Sequence, residues 1–112
     1  MLALLFWALV TPMLAQEQHS PDIQVKRELD SLFRTEKFMQ HNAKKFGNNQ
    51  GFLLVDLTID AKGKASSMFI AKTDIKQLDF LEYLTDRVLR HKFRIRPAKN
   101  KWLKSRQEII IN

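Results

Sequence analysis

The stretch GFLLVDLTIDAKGKASSMFIAKTD, from Gly51 to Asp74, restricts the fold more than any other part of the chain. Leu53, Val55, Leu57 and Ile59 alternate with residues that turn polar at Asp56, Thr58 and Asp60. A period of two over this length predicts a strand. DAKG predicts the turn, with Asp60 bonding back to the backbone and Gly63 free to take positive φ. The returning strand, Lys64 to Lys72, sets Met68 and Ile70 against Ser67, Phe69 and Ala71. Ala65 is out of phase, which a bulge at Ser66 and Ser67 repairs. Phe52 and Leu54 make the first strand apolar on both faces near its start, so it is expected in the centre of a sheet.

A third strand follows from WLKSRQEIII, Trp102 to Ile111, where Leu103, Ser105, Gln107, Ile109 and Ile111 alternate with Trp102, Lys104, Arg106, Glu108 and Ile110. The middle of this run is polar on both faces, as suits an edge where charge discourages indiscriminate pairing. Two helices complete the set. Over residues 22–46, Ile23, Val25, Leu29, Leu32, Phe33, Phe38 and Met39 recur mostly three and four apart, Ser20 or Asp22 serves as cap, and Gly47 ends the helix. In QLDFLEYLTDRVLRHKF, Asp79 and Glu82 resemble a capping box ahead of Leu81, Leu84 and Val88, with Phe80 and Phe93 at the margins. Pro97 forbids continuation. The expected fold is α+β, helix-strand-strand-helix-strand: one three-stranded antiparallel sheet of order 2-1-3 with two helices packed on one face.

Residues 1–15, MLALLFWALVTPMLA, contain no charged side chain, and QEQHSPD then turns abruptly polar. This reads as a secretory signal peptide cut after Ala15. The rival is an uncleaved anchor, but 15 residues in a helix reach only ~22 Å of a hydrocarbon core roughly 30 Å thick. Residues 16–21 form a short polar lead, and 22–112 the single domain. No Cys is present, which excludes disulfides and thiolate metal clusters. The expected compartment is the periplasm.

A strand ending TIDAKGKA, a second strand, a helix starting at Leu78 and Asp79, an Arg-rich helix end running into Phe93, a turn at Asn100 and an isoleucine-rich last strand together resemble the C-terminal domain of TonB-type proteins, with the AgmX-type variant closest in having a helix before the hairpin. The likeness covers roughly residues 23–112. It implies binding by strand addition: an extended segment of a cell-envelope protein pairs with the last strand along Lys104, Ser105, Arg106, Gln107, Glu108 and Ile109. The same edge can instead close a homodimer. With only Gln16 to Pro21 ahead of the domain, transmission of force from a membrane motor is not expected.

The chain carries a net charge of +7, and nine Lys or Arg with no Asp or Glu lie between Arg87 and Arg106. Arg90, Lys92, Arg94, Arg96, Lys99 and Lys101 form the centre of this basic patch. In an exported chain such a patch suits anionic lipid headgroups, lipopolysaccharide or an acidic protein rather than nucleic acid. An enzyme is not expected. His19, His41 and His91 stand at no metal-ligand spacing, the serines at 66 and 67 have no base nearby in sequence, and no cofactor motif is present.

Overall fold

The computed structural model describes residues 21–98 and 100–112. The signal segment, the polar lead to residue 20 with its Ser20 cap and His19, and Lys99 lie outside the described residues. Six elements follow in order: α1 (Pro21–Leu32), α2 (Glu36–Phe46), β1 (Gly51–Ile59), β2 (Ala65–Thr73), α3 (Leu78–Arg90) and β3 (Leu103–Ile111). The sheet is antiparallel with order β2-β1-β3, as the alternation predicts. No helix among the described residues is long and apolar enough to cross a membrane.

The apolar row of β1, Leu53, Val55, Leu57 and Ile59, is buried under the helices together with Ile109 and Ile111 of β3. Above it, α1 packs on β3 and α3 packs on β2. Phe38, Phe80 and Phe93 are almost completely buried; each contributes roughly 1.5–3 kcal/mol through removal of apolar surface from water.

The single helix expected over 22–46 is two helices. Leu29 and Phe33 lie four apart and share a face, but Phe38 is five residues beyond Phe33, roughly 140° around an unbroken helix. Breaking the helix lets both rings turn inward, where their centroids lie 5.1 Å apart, edge to face. Thr35 restarts it: its Oγ1 accepts from the Phe38 amide at 3.1 Å, as an N-cap does. Arg87 closes the other side of the break, donating through Nε to the Leu32 carbonyl at 3.3 Å while its guanidinium lies 5.5 Å from the Phe38 ring centre. Two residues assigned to the buried stripe, Ile23 and Met39, are about half exposed.

The hairpin forms with the bulge expected near Ser66: Thr58 pairs with Ser67 and Ile59 with Ala65, leaving Ser66 extra. A second bulge is new. Leu54 pairs with Lys72 and Val55 with Ile70, so Ala71 is also extra. Gly63 takes φ 87° in the turn, and its carbonyl accepts from the Phe93 amide at 2.7 Å. This contact pins the segment after α3 to the hairpin tip, where Lys92 bridges to Lys64.

The capping box expected at Asp79 does not form. Gln77 is the N-cap of α3 and makes no side-chain cap bond; its Oε1 instead accepts from Asn49 Nδ2 at 2.6 Å, and the Asp79 carboxylate accepts from the next amide, Phe80, at 3.0 Å. Gln77 is drawn into the loop before β1, where Asn42 and Asn49 bond reciprocally at 3.0 and 2.9 Å. The helix thus caps at Gln77, two residues before Asp79, and the Gln77 side chain ties the helix start to Asn49, whose backbone holds the buried Asn42.

Candidate protein interface

Among the described residues, both outer strands of the sheet, β2 and β3, have a free side. They differ in regularity. The register of β2 is interrupted twice, at Ser66 and Ala71. By contrast β3 pairs with β1 in unbroken register from Gly51 opposite Ile111 to Ile59 opposite Leu103. A bulge twists a strand and interrupts its row of donors and acceptors, so β3 is the better template for a further strand.

Which backbone groups β3 offers follows from β1. The Phe52 amide and carbonyl are engaged on the β2 side, by Asp74 Oδ1 at 2.9 Å and Thr73 Oγ1 at 2.6 Å. The Thr58 carbonyl likewise accepts from Ser66 Oγ on that side. Backbone groups alternate sides along a strand, so the odd-numbered residues of β1 face β3. Their opposites, Leu103, Ser105, Gln107, Ile109 and Ile111, therefore turn their backbone groups toward β1. Lys104, Arg106, Glu108 and Ile110 present theirs to the open side.

The side chains divide in the same way. Ser105, Gln107 and Ile109 are buried beneath α1. Their polarity has a partner inside the molecule: Ser105 Oγ donates to Asp22 Oδ1 at 2.7 Å, and Gln107 Nε2 donates to the Asp22 carbonyl at 2.9 Å and to Ser105 Oγ at 2.8 Å. Of the six residues assigned to the edge, Lys104, Arg106 and Glu108 thus offer both backbone and side chain outward, whereas Ser105, Gln107 and Ile109 serve the core. Ile110 belongs with the outward set, being 56% exposed and in the same phase. Sequence reasoning left it out although the alternation runs through it.

The face of the sheet away from the helices carries Thr58, Asp56, Leu54 and Phe52 on β1, opposite Lys104, Arg106, Glu108 and Ile110. Arg106 forks onto Asp56, with Nε to Oδ1 at 2.7 Å and Nη2 to Oδ2 at 2.9 Å. Those donated bonds hold the Asp56 carboxyl below its ordinary value, against a smaller opposing contribution from desolvation. Phe69, opposite Asp56 on β2, is exposed on this face.

The basic residues are split by the fold. Arg87 is spent on the α1–α2 break and Arg106 on Asp56. Arg90, Lys92, Arg94, Arg96 and Lys101 are exposed and make no ion pair among the described residues. Beyond α3 the chain alternates buried Phe93 and half-buried Ile95 with outward Lys92, Arg94 and Arg96, which puts these cations on one surface. The Arg94 amide and the His91 ring both meet the Glu28 carboxylate, at 3.1 and 3.0 Å. His41 packs on Tyr83 at 4.8 Å, and Ser66 is the bulge residue, so the structure brings neither to a shared site.

Comparison with known proteins finds no matching family model, no similar curated protein and no similar solved structure.

Proposed function

We propose that this protein is a cell-envelope interaction module that captures an extended segment of a partner protein by strand addition to the outer edge of β3. The observation that carries this reading is the contrast between the two edges: β3 is regular over its whole length, with outward backbone groups at Lys104, Arg106, Glu108 and Ile110, whereas β2 is broken by two bulges. An unpaired, regular edge supplies main-chain hydrogen bonds to any extended chain, and the flanking side chains select which one. The TonB-like arrangement of helices, turn and last strand supports the same mode. In this reading residues 1–15 are a signal peptide and the mature domain acts in the periplasm.

Two proline variants test the edge. Arg106→Pro deletes an outward amide while sparing the bonds to β1, and an edge strand tolerates proline in that orientation. It is expected to fold and to lose partner capture from an envelope extract. Arg106→Ala removes the bond to Asp56 but keeps the amide, and is expected to retain capture. Ser105→Pro removes an amide directed at Leu57 and is expected to destabilise the domain by ~3 kcal/mol or more. Capture by Arg106→Pro equal to wild type rejects the proposal.

A second reading rests on the exposed cations. Arg90, Lys92, Arg94, Arg96 and Lys101, free of ion pairs among the described residues, fit anionic headgroups, lipopolysaccharide or an acidic protein.

A further inference from the structure

Residues 61–73 and 87–107 contain no Asp or Glu, and the fold brings parts of both stretches together at one end of the sheet. The hairpin tip lies there, with Lys62 and Lys64 exposed. Lys64 bridges to Lys92, the Phe93 amide donates to the Gly63 carbonyl at 2.7 Å, and a Cβ on Gly63 would touch the Ile95 carbonyl, so the segment after α3 runs along the tip. Leu103 stands opposite Ile59, which starts β3 at this end and leaves Trp102 one residue beyond the last pair. Lys62, Lys64, Lys92, Arg96, Lys101 and Lys104 are all exposed and share this end with an exposed tryptophan. We propose that this end of the molecule docks on an anionic phospholipid bilayer, the cations on lipid phosphates and Trp102 in the interfacial layer beneath them. This rests on the reading of the exposed cations as a match for anionic headgroups, and gives that reading an orientation and an anchor.

The carboxylates near this end are already engaged. Asp60 Oδ1 accepts from the Lys62 and Lys64 amides at 2.9 and 3.0 Å, inside the turn. Glu28, with its side chain only 11% exposed, is held by the His91 ring and the Arg94 amide. The six cations make no ion pair among the described residues. A like-signed cluster of this size on one surface is drawn to a negatively charged membrane, each Lys or Arg adding about fivefold to the affinity.

Backbone bonding favours a lipid surface over an acidic peptide. At the tip the Asp60 amide donates to the Lys64 carbonyl at 2.8 Å and the Gly63 amide to the Asp60 carbonyl at 3.0 Å. With the Gly63 carbonyl taken by Phe93 and the Lys62 and Lys64 amides by Asp60, an extended segment finds no row of open donors and acceptors here. What remains is a set of charged heads on flexible stems and one indole. Trp102 is 63% exposed, and its ring, apolar with a single N–H donor, suits the boundary between hydrocarbon and headgroups. Lys101 and Lys104 on either side hold the ring at that depth by keeping their ammonium groups among the phosphates.

Trp102 is also the reporter. The sequence has two tryptophans, and Trp7→Phe leaves Trp102 as the only one whether or not residues 1–15 are retained. In that background, vesicles of phosphatidylglycerol and phosphatidylcholine brominated in their acyl chains are expected to quench Trp102 at low salt, and vesicles of brominated phosphatidylcholine alone to leave it bright. Lys62→Glu with Lys64→Glu lies outside the run of residues 87–107 and is expected to remove most of the quenching, with the fold checked by circular dichroism. In a chain carrying Trp7→Phe, Trp102→Phe and Phe69→Trp, the new tryptophan lies back on the open face of the sheet and is expected to stay unquenched. Trp102 that is not quenched, is quenched equally without phosphatidylglycerol, or ignores the Lys62 and Lys64 reversals overturns the proposal, as does strong quenching at position 69. If Trp102 stays bright while reversal of Arg94, Arg96 and Lys101 still abolishes cosedimentation with phosphatidylglycerol vesicles, the reading of the patch stands and this docking geometry is wrong. If that reversal also has no effect on cosedimentation, both fail, and an acidic protein becomes the partner to seek.

Discussion

Gly63 carries two requirements at once. Its φ of 87° is strained for any residue with a side chain, and a Cβ there overlaps the carbonyl oxygen of Phe93. Gly47 has a similar φ of 78° but open space around it. Gly63→Ala is therefore expected to cost roughly 2–3 kcal/mol and Gly47→Ala only about 1 kcal/mol, a difference visible in thermal melts. The positive φ was legible in DAKG; the close approach of Phe93 was not, because it joins residues thirty apart in sequence. Asp56 gives a second residue-level expectation. Its carboxyl is lowered by the hydrogen bonds from Arg106, so the pair contributes stability above the ordinary carboxylate range and loses it as pH falls through the depressed folded value. A carbon-detected NMR titration is expected to place the Asp56 midpoint below the ordinary aspartate value, and Arg106→Gln to return it upward. An unchanged midpoint in that variant shows that the fork does not persist in solution.

Strands were easier to read than helix ends, and the reason lies in what sets each. The period of two in β1 and β3 is enforced by one buried face, so Leu53 to Ile59 and Leu103 to Ile111 declared both themselves and their inward rows. The bulge at Ser66 was legible because Ala65 fell out of phase. The one at Ala71 was hidden, since Lys72 and Thr73 end the strand before an apolar residue can reveal the shift. For the helices, Thr35 looked like an interior residue until the five-residue step from Phe33 to Phe38 is taken into account. Asp79 and Glu82 looked like a capping box, but the helix caps at Gln77, whose side chain is bonded to Asn49, 28 residues away. The candidate edge followed the same division: that the last strand is an edge was readable, whereas its outward residues were not. That assignment needed the side of β1 on which Phe52 is bonded, a fact about a different strand.

At the scale of the whole molecule, the order β2-β1-β3 and the helices on one face followed from burying one face of a three-stranded sheet. The charge distribution adds an expectation of its own. Reversing Arg94, Arg96 and Lys101 to Glu is expected to leave the melting temperature almost unchanged, since all three are exposed, and to abolish cosedimentation with phosphatidylglycerol vesicles at low salt. Wild-type vesicle binding is expected to fall steeply by 0.5 M salt, where screening extends over only a few ångströms. Binding that ignores salt leaves the patch as an aid to solubility. The bonds from Asp22 to Ser105 and Gln107 join residues 83 and 85 apart in sequence, the first helix held by the last strand. During synthesis α1 emerges before the hairpin and α3, yet the strand it packs on follows them all. Contacts of such long sequence separation form late and slowly. Until β3 has left the ribosome, the hairpin has no third strand and α1 no floor, so the first helix waits through the making of the hairpin and α3 before it can settle.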